Sequence, residues 1–161
     1  VGGDTQEGRM IYTNFLDDDG GVHADLTISR LGSDSYRIVT GGADGNRDWV
    51  TLRNYRDDTG LDADINIRTH DIATLGLWGP EAKNALGHFV DPNEISIENF
   101  PFVTAKHLTL NLSDGKKVDV WAARISYVGE SGWELYLNND SEDGLALYDS
   151  LLEVGVVPVR I

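Results

Sequence analysis

The stretch Val22-His23-Ala24-Asp25-Leu26-Thr27-Ile28-Ser29 alternates between apolar and polar side chains. A period of two puts its apolar side chains on one face and its polar side chains, Asp25 and Thr27 among them, on the other. Val, Ile and Thr also favour extended backbone. The pattern predicts a β-strand over 22–31 with one buried face.

Turn signals and two further strand patterns flank this stretch. Residues 17–21 before it and 32–35 after it are rich in Asp, Ser and Gly, which favour tight turns. The segments 10–16 and 36–40 have the composition of short strands. Because the connections between them are short, we expect the three strands to form an antiparallel meander.

Strand and helix signals then alternate to the end of the chain. The predicted helices are 43–55, one that begins after Gly79-Pro80 and turns Ala82, Ala85, Leu86 and Phe89 inward, and 142–153; the predicted strands are 62–69, 72–78, 105–112, 118–128 and 133–138, with a loop or short helix at 93–99. Strands at hairpin spacing mixed with helices predict an α+β fold with a largely antiparallel sheet. The length predicts a single domain over 1–161.

Composition narrows the classes of partner. The 161-residue chain has a formal net charge of −14 and no cysteine. Nucleic acids and anionic membranes attract cationic surfaces, so we expect neither as a partner. The apolar runs are too short to cross a bilayer. Since the first residues lack the apolar region of a signal peptide, we expect a cytoplasmic location.

Common catalytic and metal-binding motifs are absent. The four histidines are scattered, and none pairs with another at the spacing of metal ligands, so no metal site is expected. The sequence contains no GxSxG, P-loop or GxGxxG pattern. The usual hydrolase, phosphate-loop and dinucleotide-binding interpretations therefore have no motif behind them.

Asp25 is the first informative candidate, because Asp is a poor strand former yet lies inside a strand pattern. In one interpretation it is an ordinary carboxylate on the solvent face beside Thr27. In the other, rigid backbone holds it in a cleft, where it hydrogen-bonds a ligand amine or takes a proton.

Glu130 is the second candidate, in a Gly-Glu-Ser-Gly turn that joins two aromatic-bearing strand patterns. It is either an ordinary acid of a hairpin turn or an acceptor for paired N–H groups of an aminopyrimidine-like heterocycle. A carboxylate has the two oxygens that such pairing needs, and nearby aromatic rings can supply ring contacts.

Four segments, in order along the chain, resemble the folate-binding aminomethyltransferase family, which includes the T-protein of the glycine cleavage system. They are Tyr12-Thr13-Asn14-Phe15-Leu16 leading into 20–27, residues 36–43, Leu77-Trp78-Gly79-Pro80-Glu81-Ala82, and residues 124–135. The likeness is closer to the folate-binding portion of dimethylglycine and sarcosine dehydrogenases or oxidases.

The resemblance implies that tetrahydrofolate lies in a central channel and accepts a one-carbon unit. The catalytic Asp of the family falls on Asp25 and its pterin-binding Glu falls on Glu130. Tyr12 and Thr27 fall on positions that line the folate pocket.

Two departures from the family pattern qualify this assignment. Gly41 stands where the T-protein has an Asn, which weakens a specific link to glycine cleavage. Ala24 stands where the T-protein usually has an acid, as it does in the dehydrogenase-type members. The family also extends beyond both ends of this sequence, with a further folate contact and a β-rich domain after it. We therefore expect an internal fragment that binds folate weakly by itself.

The resemblance leaves the one-carbon donor open. Dimethylglycine, sarcosine, the aminomethyl group on a lipoyl carrier, and a methyl-sulfur or methoxy compound are the alternatives. The corresponding partners are a flavin dehydrogenase domain or a lipoyl carrier protein. Two other interpretations also stay open, namely a folate-binding module without turnover and a structural α+β domain.

Overall fold

The computed structural model describes residues 6–139 and 141–159. Within these residues the chain forms two compact units, divided between Arg68 and Thr69. Each unit has its own antiparallel sheet and at least one helix. The expected α+β class is therefore confirmed.

The first unit contains the expected meander. Its strands are β1 (Met10–Leu16), β2 (Val22–Arg30) and β3 (Tyr36–Thr40), hydrogen-bonded in the order β1-β2-β3 and antiparallel throughout. Both β1 and β3 have the predicted bounds, and β2 ends one residue early. Burial in β2 alternates as predicted around Asp25, since Ala24 and Leu26 are buried while Asp25 is exposed.

Helix α1 (Gly45–Thr59) follows β3 and extends four residues beyond the expected end. No helix-breaking residue occurs between Tyr55 and Thr59, so the helix continues until Gly60. Gly60 takes the left-handed conformation, with φ of 67°, and donates its N–H to the carbonyl of Arg56. This conformation favours glycine at a helix C-terminus.

The strand predicted at 62–69 is wrong, because this segment has no regular secondary structure. Side chains of α1 donate to two of its carbonyls. The indole Nε1 of Trp49 donates to the carbonyl of Ile65 at 3.2 Å, and Arg56 donates to that of Ala63 at 3.3 Å. A polar group bonded in this way no longer needs a ladder partner.

The second unit contains a four-stranded sheet with two helices. Its elements are β4 (Ile72–Trp78), α2 (Ala82–Leu86), β5 (Thr104–Asn111), β6 (Lys117–Arg124), β7 (Gly132–Asn138) and α3 (Asp143–Glu153). The strands lie in the order β4-β7-β6-β5, and every pair is antiparallel. Residues 93–99, expected as a loop or short helix, form consecutive turns and bends.

One face of this sheet forms the core of the second unit. Its strands contribute Leu77, Leu108, Leu110, Val118, Val120, Ala122, Trp133, Leu135 and Leu137, and Ala82, Leu86, Phe89, Leu147 and Leu151 join the same buried cluster. Helix α2 is shorter than expected and ends at Leu86, so Phe89 is buried from the turn beyond it. Ala85 is partly buried against the cluster.

Strand β6 ends at Arg124, four residues before the predicted end at Val128. The Arg124 guanidinium donates to the carbonyls of Ile95, Ser96 and Phe100, the last at 2.7 Å, and lies over the ring of Trp133. Partial burial lowers the pKa of Arg124. Arg124 is paired with Thr104, the first residue of β5, so the ladder ends there. The next carbonyl, that of Ile125, accepts from the Trp78 indole.

Candidate functional site

The register of the first sheet brings three predicted site residues onto one face. Tyr12 pairs with Thr27 across β1 and β2, and Asn14 pairs with Asp25. Paired residues of an antiparallel ladder project to the same side, and so do residues two apart along a strand. Tyr12, Asn14, Asp25 and Thr27 thus form one polar patch.

Asp25 and Tyr12 are in direct contact within this patch. The Tyr12 hydroxyl donates to Oδ2 of Asp25 at 3.1 Å, diagonally across the ladder, and the Tyr12 side chain is 63% exposed. The hydrogen bond and the negative charge of Asp25 raise the pKa of Tyr12, since a phenolate there would lose the bond and face a carboxylate. The second carboxylate oxygen of Asp25 belongs to an exposed side chain that a ligand can reach.

The pKa of Tyr12 provides a direct test of this contact. We expect a phenolate absorbance titration, with Tyr12→Phe identifying the signal, to place the wild-type pKa above its ordinary value. In Asp25→Asn the pKa should fall back, because the acceptor is then neutral. The stability that the bond contributes is present at neutral pH and is lost as the pH rises through the raised pKa. An unchanged pKa in Asp25→Asn would contradict the contact.

Helix α1 fixes the start of the strand that carries Asp25. Arg47 donates to the carbonyl of His23 at 3.0 Å and to Oδ1 of Asp48 at 3.1 Å. Asp48 is 1% exposed, so the residue that holds Arg47 is itself enclosed. The Thr51 hydroxyl lies 3.4 Å from the His23 ring. Asp25 is therefore two residues from an anchored backbone position, and not on a free loop.

Glu130 lies in the second unit, on the segment 125–131, which joins β6 to β7 and is exposed from Tyr127 onward. Gly129 precedes it with φ of 82°, a conformation that favours glycine and sets the turn. Tyr127 and Val128 of the same segment are 80% and 61% exposed. The expected hairpin connection is thus present, with Glu130 on its surface.

Glu134 is a second carboxylate that the sequence analysis did not single out. It lies on β7 between buried Trp133 and Leu135, and it projects from the face opposite the core. Glu134 is half-buried and accepts a hydrogen bond from the hydroxyl of Tyr136, whose ring packs edge-on against Trp121 at 5.3 Å. An acid within an apolar strand pattern was the available signal, the same one that singled out Asp25.

Among the described residues, no helix is both long enough and apolar enough to cross a membrane.

Relatives of the chain include a dehydrogenase and an aminomethyltransferase. It is 32% identical over 150 residues to dimethylglycine dehydrogenase, mitochondrial, of Homo sapiens, covering 91% of this chain and 16% of that protein. It is 31% identical over 160 residues to an aminomethyltransferase of Halothermothrix orenii, covering 97% of this chain and 41% of that protein. The chain therefore spans less than half the length of either relative.

A solved structure supports the fold. The aminomethyltransferase T of the glycine cleavage system from Bartonella henselae superimposes with a TM-score of 0.69 at 21% identity, over 93% of this chain and 37% of that one. At this identity the match shows a shared α+β fold. The family model for the GCVT N-terminal domain matches residues 3–158, nearly the whole sequence. The chain therefore belongs to the GCVT N-terminal domain family, as the four sequence segments indicated.

Proposed function

We propose that the protein containing this chain binds a reduced folate and moves a one-carbon unit from an amine donor to tetrahydrofolate. The observation that carries this proposal is Asp25, a carboxylate on an anchored strand, exposed, and surrounded on its face by Tyr12, Asn14 and Thr27. Support also comes from membership of the family and from relatives named aminomethyltransferase and dimethylglycine dehydrogenase.

The donor set of this patch fits the polar part of such a ligand. Bound tetrahydrofolate supplies the ring nitrogens that accept the carbon. Asp25 has one oxygen engaged by Tyr12 and another available to hold an amine N–H or take its proton. Thr27 contributes a hydroxyl that both donates and accepts, two positions along the same strand. Tyr12 orients the carboxylate, as a group hydrogen-bonded to a general base commonly does.

The pterin ring needs a carboxylate acceptor for its amino and ring N–H groups, and we assign Glu130 to this role. Glu130 has an exposed side chain that is free to form the paired bonds. Glu134 is the rival candidate, since it lies on a rigid strand and is half-buried, and sites on strands are more precise than sites on loops.

Calorimetric titration with 5-formyltetrahydrofolate separates the two carboxylates. The full-length natural protein is titrated beside Glu130→Ala and Glu134→Ala, each serving as the control for the other. We expect Glu130→Ala to weaken binding by about 100-fold, because paired bonds to a charged acceptor contribute about 3 kcal/mol. Loss in Glu134→Ala alone would move the pterin to β7. Full binding by both variants would contradict a carboxylate acceptor in either place.

The donor is an amine such as dimethylglycine, sarcosine or an aminomethyl-lipoyl carrier, which implies a flavin dehydrogenase domain or a lipoyl carrier protein as partner. A folate-binding module without turnover and a demethylase of a methyl-sulfur or methoxy compound are the alternatives. The single domain over 1–161 and the cytoplasmic location stay predictions.

A further inference from the structure

Trp78, the last residue of β4, lies flat on the sheet. Its six-membered ring covers Gly76, two residues back on the same face, and a Cβ at Gly76 would lie 2.2 Å from Cη2 of the ring. Gly132, paired with Trp78 on β7, leaves room in the same way, because a Cβ there would lie 2.4 Å from Cδ1 of Trp78. Because neither glycine has a Cβ, both leave room for the indole ring against the sheet.

The edge of this ring that carries Nε1 contacts the segment 125–131. The indole Nε1 donates to the carbonyl of Ile125 at 3.2 Å, and the Trp78 and Tyr127 rings lie 6.4 Å apart between centroids, tilted by 39°. At the other end of the segment, the Gly79 N–H donates to the carbonyl of Ser131 at 2.9 Å. The end of β4 therefore holds the segment at its beginning, near its middle and at its end.

We propose that Trp78 is a positioning residue, which holds the segment 125–131 in place and thereby sets the affinity for the pterin ring. This inference rests on the proposed function, since Glu130 lies on that segment. A segment that is already ordered loses less conformational freedom when a ligand binds. Removing the indole N–H leaves the Ile125 carbonyl without this donor and frees the start of the segment.

Trp78→Phe tests the proposal, because phenylalanine keeps an aromatic ring at the end of β4 and removes the indole donor together with the outer ring atoms that lie over Gly76. Trp49→Phe is the matched control. Trp49 also donates its Nε1 to a backbone carbonyl, that of Ile65 at 3.2 Å, but it does so in the first unit. Both variants are made in the full-length natural protein and measured by amide hydrogen exchange and by titration with 5-formyltetrahydrofolate.

We expect the amides of 125–131 to exchange about tenfold faster in Trp78→Phe, and folate binding to weaken about five- to tenfold, the value of one hydrogen bond. Trp49→Phe should change neither quantity. Wild-type exchange across 125–131 in Trp78→Phe overturns the proposal, and so does faster exchange with unchanged folate affinity. A wild-type protein that binds no folate overturns the proposed function, and the exchange rates then decide alone whether Trp78 holds the segment.

Discussion

Asp25→Asn in the full-length protein should lower kcat for one-carbon transfer by about 10²- to 10⁴-fold, the usual range for removing a general base. Folate binding should stay within about twofold, because asparagine keeps the shape of the side chain and an oxygen that accepts from Tyr12. Only the charge and the basic oxygen are lost. Steady-state kinetics and folate titration of the same preparation measure the two effects.

Asp119→Asn is the matched control. Asp119 is also an exposed strand carboxylate that holds a hydroxyl across an antiparallel ladder, that of Thr109 at 2.6 Å, in the second unit. Neutralising it removes the same charge from a similar setting and should leave kcat unchanged. A loss of activity shared by the two variants would indicate that the net charge of the protein, and not Asp25, governs the rate.

The same comparison separates an enzyme from a binding module. If Asp25→Asn and the wild type transfer carbon equally and bind folate equally, Asp25 has no catalytic role and a module without turnover becomes the better interpretation. If folate binding is lost together with activity, Asp25 is a ligand contact whose charge holds the folate. Only retained binding with a lower kcat supports the role proposed here.

Local patterns predicted most of the elements. The bounds of β1, β3 and β4 agree with the expected ones, because each has a turn or a glycine on both sides. The failures at 62–69 and 125–128 share one feature. In both places a tryptophan distant in sequence, Trp49 or Trp78, donates to a backbone carbonyl of the segment. Pairing partners far apart in sequence leave no trace in a local period of two.

For the candidate site as well, the local pattern predicted some features and the contacts between distant residues determined the others. Alternation alone placed Asp25 and Thr27 on one face of β2, and the structure agrees. The contact of Asp25 with Tyr12 depends on the register of β1 against β2, which the turn and a shift between Phe15 and Leu16 determine. The pairing of an indole with Gly76 was beyond sequence reasoning as well, because a glycine in a strand does not reveal what covers it.

Gly132→Ala should destabilise the protein by about 3 kcal/mol, the upper end for adding a methyl group where no space exists. A Cβ at Gly132 would lie 2.3 Å from the backbone oxygen of Leu77 and 2.9 Å from Cα of Trp78. Backbone atoms of a paired strand cannot rotate away as a side chain does, so β4 and β7 must separate locally. Urea unfolding of the full-length protein measures the loss as a lower midpoint.

Gly144→Ala makes the same chemical change but should increase the free energy of unfolding. Gly144 lies in α3, and a Cβ there would meet only Ala73 Cβ, at an ordinary contact distance of 3.9 Å. The helix then gains about 0.5–1 kcal/mol from the better propensity of alanine. If both variants stabilise, the approach of β4 to Gly132 is looser than these distances indicate. If only Gly132→Ala destabilises, close contact with the backbone of β4 explains why glycine is paired with Trp78. The backbones of the two paired strands then set the space beside the indole.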